Sequence, residues 1–394
     1  MARATDAERE RLNQTFAALC RIESPSGHER ACADFVIAQL RGMGLRVSED
    51  DAGAEAGSDA GNVFTRILGP GGAGGAGGTN SGSILLCAHL DTVPLAAPVD
   101  PVLVNGGWEN ANDGILGADN KSAVAIILEL ARRLTSSAQP PPVGVEILFT
   151  VCEEVSLLGS RAFDLSRVQS SFGYVFDHAT AIGELVVASP THYRVIGDLH
   201  GRAAHAGVRP QDGRSAIVAA ARGIAAMTLG RVDEQTTANV GTIEGGSAIN
   251  VVPERCRVVG EVRSVDEARA AAVTTEMIDH LQDAADAQEC DLDLTVERMF
   301  RGYRVKPGAP PLSCAERALS ACGFQPREIV SGGASDVNSF QLRGFDSICL
   351  ADGVQRNHEP TERVSVEALQ GMFDVALTLV DEAAVQLSGA TVAS

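Results

Sequence analysis

Seven ionisable side chains of this 394-residue chain stand at the ends of predicted strands, in a short loop after a strand or beside a predicted helix. They are His89, Asp91, Asp119, Glu153, Glu154, Asp177 and His358. Most of them come directly after an apolar stretch, as in SILLCA before His89 or ILFTVC before Glu153. In an open α/β sheet, ligands and catalytic groups collect beyond the carboxyl ends of the strands. We therefore expect these side chains to meet at one edge of a sheet.

Each of these residues, taken alone, also has an ordinary structural explanation. A carboxylate at a strand end is usually solvated or caps a helix, and Asp119 could cap the helix predicted by KSAVAIILELARRL. Several carboxylates buried at one edge, however, are costly unless positive charge lies among them. Carboxylates and neutral imidazoles, without a cysteine cluster, favour Zn²⁺, Co²⁺ or Mn²⁺ in an open catalytic site. The set therefore predicts a catalytic metal centre.

Two short motifs suggest how such a centre would work. In HLD, His89 can bind a metal through one ring nitrogen while Asp91 accepts the N–H of the other, which fixes the tautomer. In CEE, neighbouring residues at a strand end point in different directions. One glutamate can therefore coordinate a metal while the other faces a water molecule as general base.

The elements around these residues predict two kinds of domain. From residue 81 onward, strands such as SILLCAHLD and VEILFTVCEE alternate with helices, which is typical of an α/β sheet with helices on both faces. Residues 187–300 instead predict the ferredoxin-like order β-α-β-β-α-β. We expect a catalytic domain in two parts, residues 1–186 and 301–394, with residues 187–300 inserted as a separate domain.

Composition excludes several other classes of protein. The net charge of −19 argues against a nucleic-acid partner. No apolar run approaches the ~18 residues of a membrane helix, and the charged N-terminus does not resemble a signal peptide. Nine cysteines without a CxxC pair predict reduced thiols, and hence a cytoplasmic protein. The glycines of GPGGAGGAGGTNSGS have GxGxxG spacing, but they lie between two predicted strands and therefore predict a connecting loop.

Several motifs together resemble one family. In order along the chain, they are AHLDTV, ILGADNKSAVA, LFTVCEEVSLLGS, GRAAHAGVRP, GRVDEQTTANVGTIEGG, NVVPE, SGGASDVNSF and NHEPTE. With them the chain resembles the M20 metallopeptidases, and within these the peptidase T-like group. The resemblance implies a zinc-peptidase-like α/β catalytic domain with an inserted ferredoxin-like domain that serves as lid and dimerisation domain.

The resemblance also implies an activity. It is that of a dinuclear-zinc hydrolase, an aminopeptidase acting on di- and tripeptides through an activated water and a glutamate base. Co²⁺ or Mn²⁺ could replace Zn²⁺, and the protein would be a homodimer through the lid domain. A related amidohydrolase, such as an N-acyl amino acid deacylase, carboxypeptidase or dipeptidase, stays open as an alternative. A non-catalytic metal-binding relative is disfavoured because the base is present.

Individual roles follow from the same resemblance. His89, Asp119 and Asp177 would hold one metal, and Asp119, Glu154 and His358 the other. Glu153 matches the general base, and Asp91 the carboxylate behind His89. In the inserted domain, His205 is similar to a histidine offered to the substrate, often across a dimer interface. Asn250 and Arg263 match residues that bind the peptide carbonyl and its terminal carboxylate.

The sequence departs from the family pattern at three places. Asn120 follows Asp119 where many relatives have a second aspartate, although that side chain is not a ligand in the pattern. Cys152 precedes the glutamate pair, where a buried neutral thiol is favoured over a thiolate ligand. The segment DHATAIG around Asp177 is less typical of the family than its neighbours.

Overall fold

The structure is a computed structural model that describes residues 3–70 and 82–390. Most of the glycine-rich segment predicted to connect two strands lies outside these residues. The chain divides into two compact units. Unit 1 comprises residues 1–187, 305–330 and 335–394, and unit 2 comprises residues 188–304 and 331–334.

Ten α-helices lie within the described residues. They are α1 (Asp6–Cys20), α2 (Arg30–Gly42), α3 (Ala52–Ala56), α4 (Ala118–Ser136), α5 (Leu158–Ala162), α6 (Ala216–Ala226), α7 (Glu267–Ala287), α8 (Pro310–Cys322), α9 (Asp336–Leu342) and α10 (Val366–Ala390). None of these described helices is both long and apolar enough to span a bilayer.

Eighteen strands accompany them in the same part of the chain. They are β1 (Val47–Glu49), β2 (Val63–Ile67), β3 (Ser83–His89), β4 (Pro101–Val104), β5 (Gly107–Asn110), β6 (Gly144–Thr150), β7 (Phe172–His178), β8 (Glu184–Ser189), β9 (Thr191–His200), β10 (Gly230–Asp233), β11 (Thr236–Gly245), β12 (Arg255–Ser264), β13 (Asp291–Phe300), β14 (Tyr303–Arg304), β15 (Arg327–Val330), β16 (Ser347–Ala351), β17 (Val354–Gln355) and β18 (Arg363–Ser365).

The main sheet of unit 1 has the strand order β1-β2-β6-β3-β7-β16-β8. Its four central strands, β6, β3, β7 and β16, are parallel to one another. Nearly every residue of β3 and all of β6 are buried, and successive side chains of a strand point to opposite faces. Both faces of the sheet centre are therefore covered, as the apolar runs predicted.

The helices of unit 1 cover the sheet in two groups. Helix α4 packs on β2, β3 and β7 and also contacts α1, α2 and α10, while α9 packs on β7 and β16 and contacts α5. The predicted helix Lys121–Leu134 lies within α4, which begins at Ala118. The predicted mixed α/β fold is thus confirmed for this unit.

A second, four-stranded sheet of unit 1 was not predicted. Its order is β17-β18-β5-β4, and its strands have two to four residues each, too short for a clear alternating pattern. One usable signal was present. Asn105 and Gly106 join β4 to β5 with φ of 49° and 75°, and Asn-Gly between apolar residues is a strong hairpin signal.

Unit 2 contains an antiparallel sheet of order β10-β11-β12-β9-β13. Helices α6 and α7 pack on each other and on β9 and β12. Without β10, the order is that of the predicted ferredoxin-like fold, which is therefore confirmed. The edge strand β10 is an addition to the prediction. It forms a short hairpin with β11 and shows no alternating apolar pattern.

Candidate metal centre

The carboxyl ends of the parallel strands bring the predicted ligands of unit 1 together. His89 is the last residue of β3, and Asp177 lies near the end of β7. Cys87 pairs with Val175 in the register of these neighbours, so His89 and Asp177 lie at the same level. Glu153 and Glu154 follow β6 on the other side of β3. The edge of the sheet therefore positions residues that lie far apart in sequence.

Asp119 reaches this edge from the first turn of α4. The φ and ψ angles of Asp119 and Asn120 leave the helical range, which separates this turn from the rest of the helix. His358 comes from the loop after β17 and has a φ of 66°. The start of a helix and a loop thus add the last two predicted ligands to those at the strand ends.

Asp119 is shared by two groups of possible metal ligands. Its Oδ1 lies 3.2 Å from Nε2 of His89, and its Oδ2 lies 3.3 Å from Nε2 of His358. The first group is His89, Asp119 and Asp177, and the second is Asp119, Glu154 and His358; within each, the ligand atoms lie within 4.8 Å of one another. The structure therefore places one carboxylate between two triads, each with a histidine and a second acid.

The hydrogen-bond partners of His89 fit a cation beside its ring. Its Nδ1 lies 3.0 Å from the carbonyl oxygen of Asp91 and 3.4 Å from Oδ1 of the same residue. Both atoms are acceptors, so Nδ1 carries the proton and the lone pair of the neutral ring is on Nε2. That lone pair faces Asp119 and Asp177 oxygens, which is unfavourable unless a proton or cation lies between them. A divalent cation suits this donor set.

The pKa values record the same excess of negative charge. Burial alone would lower the pKa of His89, but nearby Asp177 and Asp119 raise it well above its ordinary value. Hydrogen bonds to Asp119 and Glu154 raise the pKa of His358 to about 10. Burial raises the pKa of Asp177 to about 7 despite the neighbouring His89. Added positive charge would therefore stabilise the ionised carboxylates of this centre.

Asp91 organises the strand ends around the centre. Beyond its contact with His89, its Oδ1 accepts the backbone N–H of Glu153 at 3.0 Å, and its Oδ2 accepts that of Glu154 at 3.2 Å. The main-chain carbonyl of Asp91, rather than its carboxylate, is the nearer partner of Nδ1. Asp91 therefore supports the histidine through two of its oxygens and also positions both glutamates.

The two glutamates differ in their surroundings. Oε1 of Glu154 lies 2.9 Å from Nε2 of His358, which places it in the second group. Glu153 belongs to neither group and is buried. Burial and the neighbouring Asp177 raise the pKa of Glu153 well above its ordinary value. The pair therefore has one residue among the possible ligands and one beside them.

Cys152 is also placed outside both groups. Its Sγ lies 3.3 Å from Oε1 of Glu29, which also accepts the backbone N–H of Cys152. Burial, together with the charge of Glu29, raises the pKa of this thiol to about 12. Cys152 is therefore a neutral buried thiol.

Three supporting residues were not identified from the sequence. Nδ2 of Asn120 donates to Oδ1 of Asp177 at 3.0 Å, and Nδ2 of Asn357 donates to Oδ2 of Asp119 at 2.8 Å. Glu362 accepts backbone N–H groups at the start of α4. Polar residues in loops or in the first turn of a helix give no periodic signal. Their adjacency to predicted ligands, in ADNK and NHEPTE, was the only available indication.

Unit 2 contains the three residues predicted to bind substrate. The segment around His205 pairs with the segment around Asn250: His205 and Val251 form an antiparallel bridge, and the N–H of Ala206 donates to the carbonyl of Asn250 at 2.9 Å. The side chains of His205 and Asn250 are exposed. The unit therefore brings these two residues close together on its surface.

Arg263 lies on β12 and is half-buried. Its Nε and Nη2 pair with Glu261 at 3.3 and 3.1 Å, and its Nη1 donates to the carbonyl of Gly332 at 3.2 Å. The guanidinium carbon also lies 5.8 Å from the centre of the Phe300 ring. The orientation of the guanidinium plane is therefore fixed by contacts on several sides.

Comparison with known proteins identifies the family. The sequence-family model of the M20 peptidase dimerisation domain matches residues 192–289, and the family model of peptidase family M28 matches residues 73–187. The uncharacterized protein YqjE of Bacillus subtilis is 32% identical over 375 residues, which cover 95% of this chain and 98% of YqjE.

Two crystal structures show the same similarity in three dimensions. Aminopeptidase PepT from Bacillus cereus is 32% identical, with a TM-score of 0.85 over 95% of this chain and 99% of PepT. A tripeptidase from Staphylococcus aureus is 29% identical, with a TM-score of 0.89 over 96% of this chain and 99% of that enzyme. These matches show that the chain belongs to the M20/M28 family of metallopeptidases.

Proposed function

We propose that this protein is a dinuclear-metal aminopeptidase that hydrolyses di- and tripeptides. The observation that carries the proposal is the position of Asp119, whose two carboxylate oxygens each contact the histidine of a different triad. A carboxylate in that position suits two cations side by side rather than one. The similarity to PepT and to a tripeptidase supports short peptides as substrates.

Two divalent cations, Zn²⁺ or alternatively Co²⁺ or Mn²⁺, would supply Lewis-acid chemistry that polarises the scissile carbonyl and makes water more acidic. The first group, His89, Asp119 and Asp177, would hold one of them. The second group, Asp119, Glu154 and His358, would hold the other. Asp91 would keep Nδ1 of His89 protonated so that Nε2 stays available as a ligand.

Glu153 is the proposed general base. It is buried at the same strand end as Glu154 but belongs to neither ligand group, so its carboxylate is free to act on water. In this role it takes a proton from the attacking water and delivers it to the leaving amine. Cations in the two groups would offset the charge of Asp177 and so favour the ionised form of Glu153 that a base requires.

His205 is the proposed donor to the oxyanion that forms during hydrolysis. Nδ1 of its ring accepts the N–H of Gly207 at 3.2 Å. The proton of the neutral ring is therefore on Nε2, which makes this nitrogen a donor. We propose that it acts on the substrate of the partner subunit in a homodimer formed through unit 2, which contains the segment matched by the dimerisation domain.

Asn250 and Arg263 are proposed to bind the peptide itself. Asn250, exposed beside the His205 segment, would donate to a substrate carbonyl. In Arg263 the Nε–Nη2 edge is taken by Glu261, but Nη1 and Nη2 each keep a second N–H. This end of the guanidinium would bind the terminal carboxylate of a peptide.

A matched set of substrates tests the activity. Purified protein would be supplied with Zn²⁺, Mn²⁺ or Co²⁺ and assayed on a tripeptide, its N-acetylated form and its C-terminal amide, together with dipeptides and N-acyl amino acids. We expect hydrolysis from the free amino end, loss of activity on N-acetylation and complete inhibition by a chelator. Activity confined to N-acyl amino acids would instead show a related amidohydrolase, and full activity without metal would refute the proposal.

A further inference from the structure

Glu362 is a buried carboxylate with no role in the chemistry proposed above. It lies four residues after His358, at the end of the loop that leads into β18, and is 2% exposed. Burying a carboxylate is costly unless its charge is compensated by hydrogen bonds or opposite charge. The groups that compensate the buried charge of Glu362 therefore show which part of the structure it stabilises.

The carboxylate binds the beginning of α4. One oxygen of Glu362 accepts the N–H of Gly117 at 2.7 Å, and the other accepts the N–H of Asp119 at 2.9 Å. Gly117 is the N-cap of α4, has a left-handed φ of 73° and has no side chain with which to cap the helix. From a distant part of the sequence, Glu362 supplies the acceptors for two backbone N–H groups of the turn that precedes the regular part of α4.

These contacts connect two parts of the candidate metal centre. Asp119, the carboxylate shared by both groups, lies in the turn that Glu362 binds, and His358 lies on the same loop as Glu362. The proposed function assigns metal ions to these groups, and the inference rests on that assignment. We infer that Glu362 is a positioning residue that fixes the Asp119 turn relative to the His358 loop. The binding affinity of both metal ions therefore depends on it.

A merely structural role must be separated from this one. Glu146 is a suitable control, because it lies in the same unit, is also 2% exposed and belongs to neither ligand group. Its Oε2 accepts the backbone N–H groups of Gln169 and Ser170, both at 2.8 Å. Glu146→Gln therefore makes the same chemical change to a buried carboxylate that accepts two backbone N–H groups, and it also removes the ion pair of Glu146 with Arg66.

The test measures metal binding in full-length protein. Gln presents one acceptor and one donor to two N–H groups, so Glu362→Gln loses one hydrogen bond without a change in size. Zn²⁺ content would be determined after dialysis at defined free Zn²⁺, and the visible spectrum would be followed during titration with Co²⁺. We expect a loss of about 10–100-fold in affinity for both ions, the usual effect of removing a partner that orients metal ligands.

Glu146→Gln should lower the melting temperature while both ions bind as in wild type. The inference is overturned if Glu362→Gln binds both ions with wild-type affinity, or if only one ion is affected. Should Glu362→Gln fail to fold, Glu362→Asp keeps both acceptors on a shorter side chain and should weaken both ions to a smaller extent. Wild-type metal affinity in a folded Glu362→Asp would then count against the inference.

Peptide hydrolysis by wild-type protein is measured separately. A wild-type protein that binds two ions but cleaves no peptide would refute the proposed function alone. A wild-type protein that binds neither Zn²⁺ nor Co²⁺ would refute the inference together with the metal centre.

Discussion

The two units hold their candidate functional residues in opposite ways. In unit 1, His89, Asp119 and Glu153 are at most 8% exposed. The single residue Asp91 contacts the ring of His89 and the backbone N–H groups of both Glu153 and Glu154. In unit 2, His205 and Asn250 are exposed; their segments pair through the backbone, and the His205 ring accepts the N–H of Gly207. In our proposal, unit 1 therefore holds a preorganised centre, whereas the surface of unit 2 is completed by substrate or partner.

This contrast has a physical basis. Closely packed carboxylates repel each other strongly when buried, so unit 1 needs a network of donors and, in our proposal, cations to hold them. A donor to an oxyanion has no such requirement, because it interacts with charge that develops only during the reaction. Substitutions in unit 1 should therefore change metal binding, stability or chemistry, whereas those at His205 should change turnover alone.

The largest effect is expected at the proposed base. Glu153→Gln should lower turnover by about 10²–10⁴-fold, because water then has no group to accept its proton. Its metal content should stay near wild type, since Glu153 belongs to neither ligand group. Elemental analysis and steady-state kinetics check both points. Glu154→Gln is the control and should lose metal, and near-normal activity of Glu153→Gln would require the two roles to be exchanged.

The next effect is expected in unit 2. His205→Ala should lower turnover by about 10²–10³-fold, the usual result of removing one oxyanion donor. Metal content should not change, and the melting temperature should change little, because the side chain is exposed and the substitution removes an exposed hydrogen bond from the N–H of Gly207. His280→Ala, on α7 of the same unit, is the control for loss of a histidine. A His205→Ala protein that loses stability or metal would break the contrast between the units.

Mixing two inactive variants tests whether His205 acts across a dimer. After subunit exchange, verified with two different tags, Glu153→Ala and His205→Ala chains should regain activity. Each mixed dimer would then contain one site with both groups intact. Mixed dimers that form but stay inactive would show that His205 acts within its own subunit or has no catalytic role.

A smaller and more selective effect is expected at Asn120. Its Nδ2 donates to Asp177 and to the carbonyl of Phe176, so Asn120→Ala should weaken the ion held by the first group by about tenfold or more. The ion of the second group should be affected much less. Asn62→Ala removes a similar buried amide, which donates to Asp50 and to the carbonyl of Gly159. Asn62→Ala is therefore the control, and both ions should bind to it as in wild type. Co²⁺ titrations of the two variants measure the affinity of each ion, and equal weakening of both ions in Asn120→Ala would contradict the prediction.

Much of this organisation could be predicted because strands and ligands leave regular signals. His89, Glu154 and Asp177 follow apolar runs, and the carboxyl ends of parallel strands meet at one edge. Asn120, Asn357 and Glu362 could not be found in this way, because their contacts depend on how a helix start and a loop meet in three dimensions. The sheet formed by β4, β5, β17 and β18 was missed since pairing between distant short strands is not encoded in any one of them.

The four-stranded sheet, which was not predicted, helps to position the predicted ligand His358. Strand β18 begins directly after Glu362 and pairs with β5, with Val364 opposite Trp108. Trp108 in turn donates from its ring nitrogen to Asn13 of α1 at 2.8 Å. These contacts tie the loop of His358 and Glu362 to the body of unit 1. The position of a predicted ligand thus depends on elements that the sequence pattern did not reveal.

The most direct test of the central claim is a crystal structure of the protein with Zn²⁺, with anomalous scattering measured at the zinc edge. We predict two peaks about 3.5–4 Å apart, the usual spacing of paired catalytic metals. One should lie among His89, Asp119 and Asp177, the other among Asp119, Glu154 and His358, with one oxygen of Asp119 on each ion. A single peak, or two peaks that do not share Asp119, would contradict the account.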